Sequence, residues 1–166
     1  MPDLTVADRL QPALLDRLVD EHPEEKVESR ERRVMNMAQL RRAILRDLQW
    51  LLNAQARPSS DDVYGYPNIA SSVLNFGLPD SAGQSITGRR RAEVRAAVER
   101  AIQQFEPRLL PKQLRVTEVD SESGRNKLIF EIAGEIAPLP MPESLFVRTE
   151  VDTELGQWRV GDDGRA

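Results

Sequence analysis

A change of hydrophobic period lies within the stretch Val94-Arg-Ala-Ala-Val-Glu-Arg-Ala-Ile-Gln-Gln-Phe-Glu-Pro-Arg-Leu-Leu-Pro-Lys-Gln-Leu-Arg-Val-Thr117. Apolar residues recur at helical spacing up to Phe105, which predicts an amphipathic helix from about Gly88. Pro107 and Pro111 then end the helix and turn the chain. After the second proline, apolar and polar residues alternate, as is typical of a strand. We therefore expect helices before this point and a sheet after it.

Two further helices are predicted upstream. The first main helix is expected from about Met35 to Ala54, because its apolar residues repeat at three- and four-residue steps. That stripe comprises Met37, Leu40, Ile44, Leu48 and Leu51. A short helix is expected over about 67–75, with Pro67 in its first turn and Gly77 in the left-handed position that follows a helix. Its expected core face is Ile69, Val73 and Leu74.

Downstream of the prolines, alternating segments predict an antiparallel meander of about four strands. The residues expected on its buried faces are Leu114, Val116, Leu128, Phe130, Ile132, Leu145, Val147, Thr149 and Val151. A short last strand is expected from Gln157 to Val160. The expected fold class is α+β, with three main helices followed by the meander in a two-layer single domain.

A short amphipathic segment precedes this domain. Its leucines Leu14, Leu15 and Leu18 fall on one helical face, and a charged break follows them. A helix this short is marginal in water by itself, so the segment either folds back on the domain or binds a partner. We expect residues 1–30 to form a docking arm and residues 31–166 to form the main domain.

Trp50 is a further candidate contact residue. At about 100° per residue, it falls on the far side of the first main helix, near Arg46 and Ala43. An aromatic side chain that faces away from the core stripe indicates a second contact surface. The alternative is that the sheet or a loop of the same chain covers Trp50.

The composition excludes several kinds of site. The chain has no cysteine, which rules out disulfides and thiolate metal sites, and its single histidine, His22, cannot form a multi-histidine centre. No apolar stretch reaches the roughly 18 residues that span a bilayer. We therefore expect no metal, no other cofactor and no membrane insertion, and a cytoplasmic location.

Arginines cluster in two places, a pattern that can mark nucleic-acid contacts. The clusters are Arg30, Arg32, Arg33, Arg41, Arg42 and Arg46, and Arg89, Arg90 and Arg91. However, the net charge is −4, and no aromatic residue stands between the arginines. A solvated helix face or a protein partner is favoured, and no nucleic-acid partner is expected.

The segment Phe105-Glu-Pro-Arg-Leu-Leu110 contains the best candidate for a catalytic acid. A glycosidase needs two carboxyl groups roughly 5–10 Å apart, one of which acts as a general acid. Glu106 could serve with Asp61 or Asp62. An ion pair between Glu106 and Arg108 would hold the carboxylate in its charged form, which is the wrong form for a general acid. We therefore expect no catalytic residue.

The sequence favours a mechanical role for Glu106, Pro107 and Arg108. Pro107 fixes its own φ and keeps the preceding residue out of the helical region, so the two charged side chains project from a rigid corner. Arg108 offers a planar fork of hydrogen-bond donors. The corner is either an internal strut between helix and sheet or an anchor for a partner, and the sequence leaves both open.

Three segments occur in order along the chain: Arg46-Asp-Leu-Gln-Trp-Leu-Leu-Asn53, Tyr66 to Pro79, and Glu106-Pro107-Arg108. Together they resemble the baseplate wedge family of contractile injection machines, also called tail lysozyme-like. The resemblance is closest to the type VI secretion branch, TssE. It extends over nearly the whole chain, from Leu14-Leu-Asp-Arg-Leu18 to Ser144-Leu-Phe-Val-Arg-Thr-Glu-Val-Asp152.

The resemblance implies a structural component without lysozyme activity that joins wedge subunits to the base of the contractile sheath. The implied partners are other baseplate wedge subunits and the sheath protein. The sheath protein could bind by strand addition, since an open sheet edge can accept a strand from another chain. The candidate partner-binding residues are Glu106, Pro107, Arg108, Leu14, Leu15, Leu18 and Trp50. The alternatives are a lysozyme-like peptidoglycan hydrolase and the equivalent wedge protein of a phage tail.

Overall fold

The computed structural model describes residues 13–19, 23–24, 35–57, 65–80, 87–119, 127–136 and 143–162. Within these ranges, helices come first and a four-stranded antiparallel sheet follows. The helices are α1 (Leu14–Leu18), α2 (Met37–Asn53), α3 (Pro67–Ala70) and α4 (Gly88–Phe105), with a 3₁₀ turn at Val73–Asn75. The strands are β1 (Arg115–Val119), β2 (Lys127–Ile136), β3 (Glu143–Asp152) and β4 (Gln157–Asp162). The expected α+β class is confirmed.

Helix α2 carries the largest part of the helical core. The side chain of Asn36 accepts a hydrogen bond from the backbone N–H of Gln39, and the Gln39 side chain accepts one from the N–H of Asn36. This capping box starts the helix two residues after Met35. Its buried residues are Leu40, Ala43, Ile44, Leu48, Leu51 and Leu52. The predicted stripe is thus buried except for Met37, which is half-buried, whereas Ala43 is in the core and not on the far side.

Helix α4 has the predicted bounds. The hydroxyl of Thr87 accepts a hydrogen bond from the N–H of Arg90, which caps the first turn. The helix ends at Phe105, one residue before the Glu106-Pro107 corner. Val98, Ala101 and Ile102 are buried, and Val94, Ala97 and Phe105 pack against the core from its margin.

The helix predicted over 67–75 is interrupted. α3 is four residues long, and the hydroxyl of Ser72 then accepts the N–H of Leu74, which starts the separate 3₁₀ turn. The apolar side chains expected to face the core are exposed by 38% at Ile69, 78% at Val73 and 66% at Leu74. The prediction of one continuous helix packed on the core is therefore wrong.

The sheet is a simple meander in the order β1-β2-β3-β4, with every neighbouring pair antiparallel. The predicted faces of β2 and β3 are buried, and in β2 Ile129 on the opposite face is buried as well. Phe130 of β2 stacks on Trp158 of β4 with ring centroids 5.8 Å apart. Helix α2 lies against β4 and helix α4 lies against β1, so helices and sheet share one core.

Candidate interaction surfaces

The Glu106-Pro107-Arg108 corner lies directly after α4. Glu106 still donates its N–H to the carbonyl of Ile102, but its φ of −119° and ψ of 77° lie outside the helical region, as expected for a residue before proline. Its side chain points inward and is 3% exposed, whereas Pro107 is exposed. The chain therefore turns at Glu106, but the Glu106 side chain does not project outward.

Arg108 holds both oxygens of the Glu106 carboxylate. Its Nε donates to Oε1 of Glu106 over 2.6 Å, and its Nη2 donates to Oε2. The backbone N–H of Arg108 adds a third bond to Oε1 at 3.2 Å. A guanidinium group is well suited to this bidentate arrangement. Its positive charge and its hydrogen bonds compensate the negative charge of the buried Glu106 carboxylate.

The pair continues into a longer chain of alternating charges. Nη2 of Arg108 also donates to Oδ2 of Asp47 in α2 over 2.6 Å. Oδ1 of Asp47 accepts from Nε of Arg46 at 2.9 Å, and Nη1 of Arg46 donates to Oδ1 of Asp16 in α1 at 2.5 Å. This ion-pair chain (Glu106, Arg108, Asp47, Arg46 and Asp16) links the corner to α2 and α1.

The electrostatics of the two arginines follow from their partners. Burial by itself lowers the pKa of Arg108, but hydrogen bonds and charge from Glu106 and then Asp47 outweigh it, so the pKa is raised. The hydrogen bond to Asp16 is the main reason why the pKa of Arg46 is raised. The partner carboxylates therefore stabilise the charged form of both guanidinium groups.

The geometry bears on the choice between strut and anchor. Glu106 is inside the protein, and its oxygens are held by Arg108, which is itself 22% exposed. Nη1 of Arg108 is buried and has no hydrogen-bond partner among the described residues. Because the charged groups are directed toward α2, the arrangement favours an internal support, with Pro107 left at the surface.

The same burial bears on the hydrolase alternative. A general acid must reach the substrate, and the Glu106 carboxylate is enclosed and already bound. Asp61 and Asp62, the partner acids considered from the sequence, lie outside the described residues. In the described ranges, no group of three or more potential ligands is arranged for a metal ion. None of the helices described there has both the length and the apolar character to cross a membrane.

Helix α1 presents its leucines to solvent. Leu14 and Leu18 are each 73% exposed and Leu15 is 43% exposed. The opposite side of the helix faces the domain, where the Asp16 side chain is 11% exposed and paired with Arg46. The segment thus folds back through a polar contact and leaves its apolar stripe uncovered.

Trp50 lies where the sequence placed it, on the side of α2 away from the core. It is 50% exposed, and the guanidinium carbon of Arg46 lies 5.0 Å from its ring centroid. Arg46 therefore touches both Trp50 and Asp16, which brings the exposed indole and the exposed leucines of α1 to the same side of the domain. We call Leu14, Leu15, Leu18 and Trp50 the arm surface.

Sequence reasoning missed two residues that act on the sheet. The side-chain amide of Gln49 donates to the carbonyl of Trp158 at 2.7 Å and accepts from the N–H of Val160 at 2.8 Å. Asn53 donates to the same carbonyl at 3.0 Å and accepts from the N–H of Trp158 at 3.0 Å. The available signal was two amides four residues apart, on one helix face beside Trp50. Their target lies more than 100 residues away.

Comparison with protein families identifies this chain's relatives. Residues 38–140, more than half of the chain, match the family model described as baseplate wedge protein gp25. Comparison with curated proteins and with solved structures gave no match. The matched range includes residues 46–53 of α2, the 66–79 segment and the Glu106-Pro107-Arg108 corner, which are the three segments that carried the resemblance. The chain belongs to the baseplate wedge protein gp25 family.

Proposed function

We propose that this chain is a non-enzymatic structural subunit of a contractile injection machine, where it joins baseplate wedge subunits to the base of the sheath. The observation that carries the proposal is the family match over residues 38–140. The type VI secretion branch, TssE, is favoured over a phage tail by the three segments quoted above. A cytoplasmic location belongs to the same proposal.

The arm surface is proposed to bind other wedge subunits. Its four large apolar side chains are exposed together, and such groups mark protein contacts more often than isolated ones do. Arg46 connects the two parts of this surface, since it pairs with Asp16 and its guanidinium lies over the ring of Trp50. Pro107 is the exposed part of the corner, and Glu106 and Arg108 contribute by holding that corner in shape.

The sheath protein is proposed to bind through the sheet. An open antiparallel sheet ends in strands whose outer N–H and C=O groups can pair with another chain. Here β1 and β4 are the two terminal strands. Strand addition at one of them would give the sheath a rigid first layer on which to assemble.

Co-purification tests the proposal directly. The chain is co-expressed with candidate wedge subunits and a sheath protein, and complexes are isolated through a tag on this chain. We expect a stable complex with at least one wedge subunit, and recruitment of sheath protein to that complex. Failure to bind any of these subunits, with the chain folded, would refute the proposed function.

Peptidoglycan hydrolysis is expected to be absent. The purified chain, incubated with purified peptidoglycan, should release no more soluble fragments than buffer does, since the Glu106 carboxylate is enclosed. A lysozyme is the positive control. Release of fragments that disappears in a folded Glu106→Gln variant would show that the chain is a hydrolase after all.

Removal of the arm is expected to separate binding from folding. Within the part of residues 1–30 that the structure describes, the deletion removes the exposed leucines and the ion pair between Asp16 and Arg46, and Arg46 retains Asp47 as a partner. An ion pair of this kind is worth about 1 kcal/mol or less, so the melting temperature should fall by no more than about 4 °C. Binding of wedge subunits should weaken.

The double variant Leu14→Ser/Leu18→Ser should weaken binding without any change in melting temperature. Arg17→Ser, at another exposed residue of the same helix, leaves the leucines and Asp16 intact and is the matched control. A large loss of melting temperature on deletion would show that residues 1–30 form part of the folded domain and are not a separate arm.

A further inference from the structure

Four large apolar side chains of the segment that follows α2 are exposed to solvent. Tyr66 is 62% exposed, Ile69 38%, Val73 78% and Leu74 66%. We call these four residues the loop surface. No charged residue occurs from residue 64 to residue 79, although 30% of the residues of the whole chain are charged. The loop surface is therefore apolar and uncharged, and none of the contacts proposed above uses it.

The segment that carries the loop surface is held in one conformation. Three side chains each donate a hydrogen bond to a carbonyl oxygen of residues 67–70, over 2.8–3.0 Å: Ser71, Ser72 and Asn75. The ring of Phe76 then packs edge-on against Phe105 of α4, with centroids 5.2 Å apart. A surface that is ordered before binding loses little conformational entropy when a partner binds to it.

The exposed apolar area is large for a domain of this size. The arm surface and the loop surface each expose on the order of 400 Å² of apolar side chain, taking roughly 150–250 Å² for a whole side chain of this size. The largest apolar patch of a typical soluble monomer is about 300–600 Å². Within the described ranges, no other side chain covers either surface. Two such surfaces on one chain favour a partner that covers both.

The two surfaces are attached to the same helix. Arg46 of α2 binds α1 through Asp16, and Ala54, at the end of α2, binds the loop segment through Leu78. The two attachment points lie about 12 Å apart along the helix axis. A second copy that places its arm surface on the loop surface can receive the arm of the first copy in return. Two-fold exchange of this kind is the commonest symmetry of homo-oligomers.

The chemistry of the two surfaces is complementary. The arm surface presents leucines on one face of a helix, and the loop surface offers aromatic and branched side chains without a charge. The exposed Arg57 lies beside the loop surface, where its N–H binds the side chain of Asn75 at 3.0 Å. Acidic residues follow the arm: Asp20, Glu21, Glu24 and Glu25. Opposite charges therefore flank the two apolar surfaces.

We propose that the free chain forms a two-fold dimer in which the arm surface of each copy covers the loop surface of the other. Burial of both surfaces on both copies would remove about 1,600 Å² from water, which is the standard size of a stable protein interface. Because the dimer covers the arm surface, it must dissociate before a wedge subunit binds there. This competition rests on the proposed function, whereas the dimer does not require it.

Sedimentation equilibrium of the purified chain tests the dimer. We expect the dimer to predominate at about 200 µM and the monomer at about 2 µM, the weak end of the range for interfaces of this size. Leu14→Ser/Leu18→Ser and Val73→Ser/Leu74→Ser should each raise the dissociation constant at least about tenfold, with an unchanged circular dichroism spectrum. Leu155→Ser is the matched control, because it removes a leucine that is 66% exposed but belongs to neither surface.

Mixing the two double variants shows which surfaces meet. The variant altered in the arm keeps its loop surface, and the variant altered in the loop keeps its arm surface. One intact contact should therefore form in the mixture, although neither variant associates alone. When the ¹⁵N-labelled arm variant is titrated with the unlabelled loop variant, the NMR shifts should be confined to residues 65–76 and their neighbours. A contact between two arms would leave these residues unshifted.

The outcomes separate the dimer from the proposed function. A chain that stays monomeric at the higher concentration, a mixture that does not associate, or dissociation by Leu155→Ser would overturn the inference and leave the proposed function standing. Addition of a wedge subunit should convert the dimer into a complex that contains one copy of this chain. A wedge subunit that binds the intact dimer would overturn the competition. A chain that forms the dimer but binds neither wedge subunits nor sheath protein would refute the proposed function alone.

Discussion

Replacing Arg108 with alanine should lower the melting temperature of the free protein by about 6–12 °C. The reason is Glu106, whose carboxylate is 3% exposed and depends on Arg108 for its side-chain hydrogen bonds to both oxygens. Without the guanidinium, a negative charge remains in a site that water reaches poorly. Asp47 also loses its bond to Arg108 but keeps Arg46.

The magnitude follows from what the substitution leaves behind. Removing one partner of a buried ion pair typically costs about 3–5 kcal/mol, and we take the lower value because the Arg108 side chain is 22% exposed. For a chain of this size, about 1 kcal/mol corresponds to roughly 2–4 °C in melting temperature. Thermal unfolding followed by circular dichroism would measure the change.

Two further variants identify the cause of the loss. Glu106→Leu/Arg108→Met replaces both charges with apolar groups of similar length, so it should recover much of the stability that Arg108→Ala loses. Arg115→Ala, at an exposed arginine whose bonds are to nearby carbonyls, should leave the melting temperature within about 2 °C. A double variant as unstable as the single one would show that packing, not the uncompensated charge, is responsible.

The same variant tests the corner as a partner anchor. If the corner is an anchor, Arg108→Ala should unfold at the normal temperature but fail to assemble. If the corner is an internal support, Arg108→Ala should be less stable, and it should assemble normally at temperatures at which it is still folded. An Arg108→Ala protein that unfolds at the normal temperature but recruits no sheath would restore the anchor interpretation. The enclosed position of Glu106 is the reason we expect the other outcome.

Local patterns predicted the regular elements well. The bounds of α4 were correct because a threonine cap and a proline stop are adjacent in sequence to the helix they limit. The buried faces of β2 and β3 were correct because alternation is a property of each strand alone. The β4 strand runs to Asp162, two residues beyond the predicted end, since pairing with β3 extends it.

Contacts between distant segments could not be predicted in this way. The bond between Arg108 and Asp47 joins residues 61 positions apart, and the bonds from Asn53 to Trp158 join residues 105 positions apart. Periodicity gives the face on which a residue lies but not what lies opposite that face. The pairing of Arg108 with Glu106 was considered from the sequence because the two are neighbours, whereas the burial of the pair depends on α2.

The polar residues of the segment 46–53 now have structural explanations. Arg46 pairs with Asp16, and Asp47 pairs with Arg108, so this turn of α2 fixes both the arm and the corner. Gln49 and Asn53, one helical turn apart, close the edge of β4. Residues 46–53 of a single helix therefore hold three separate parts of the molecule in position.

Replacing Gly77 with alanine is expected to have an effect at least as large as the loss of Arg108. Gly77 has a φ of +121°, a conformation that residues with a Cβ rarely adopt. A Cβ built there would lie 2.2 Å from the carbonyl oxygen of Ala54, which is backbone and cannot rotate aside. The chain must therefore shift at this point.

The shift would break a connection between two segments of the fold. Leu78 donates its N–H to the carbonyl of Ala54 at 2.9 Å, and its own carbonyl accepts the N–H of Ala56 at 2.9 Å. These two bonds hold the end of α2 against the 66–79 segment and keep Leu78 in the core, where it is 7% exposed. Strain of about 1–3 kcal/mol, with two bonds worth about 1 kcal/mol each, gives an expected loss of roughly 3–5 kcal/mol.

Gly65→Ala provides the matched control, because nothing lies within 4 Å of a Cβ built at Gly65. We expect that variant to unfold within about 2 °C of the unaltered protein, and Gly77→Ala to unfold at least about 6 °C lower. Chemical denaturation would give the free energies directly. If Gly77→Ala were as stable as the control, the close approach to Ala54 would not constrain the fold. The exposed side chains Tyr66, Val73 and Leu74 would then have to be held in place by other contacts. If it is unstable as expected, Gly77 is required for the close contact between the end of α2 and the 66–79 segment.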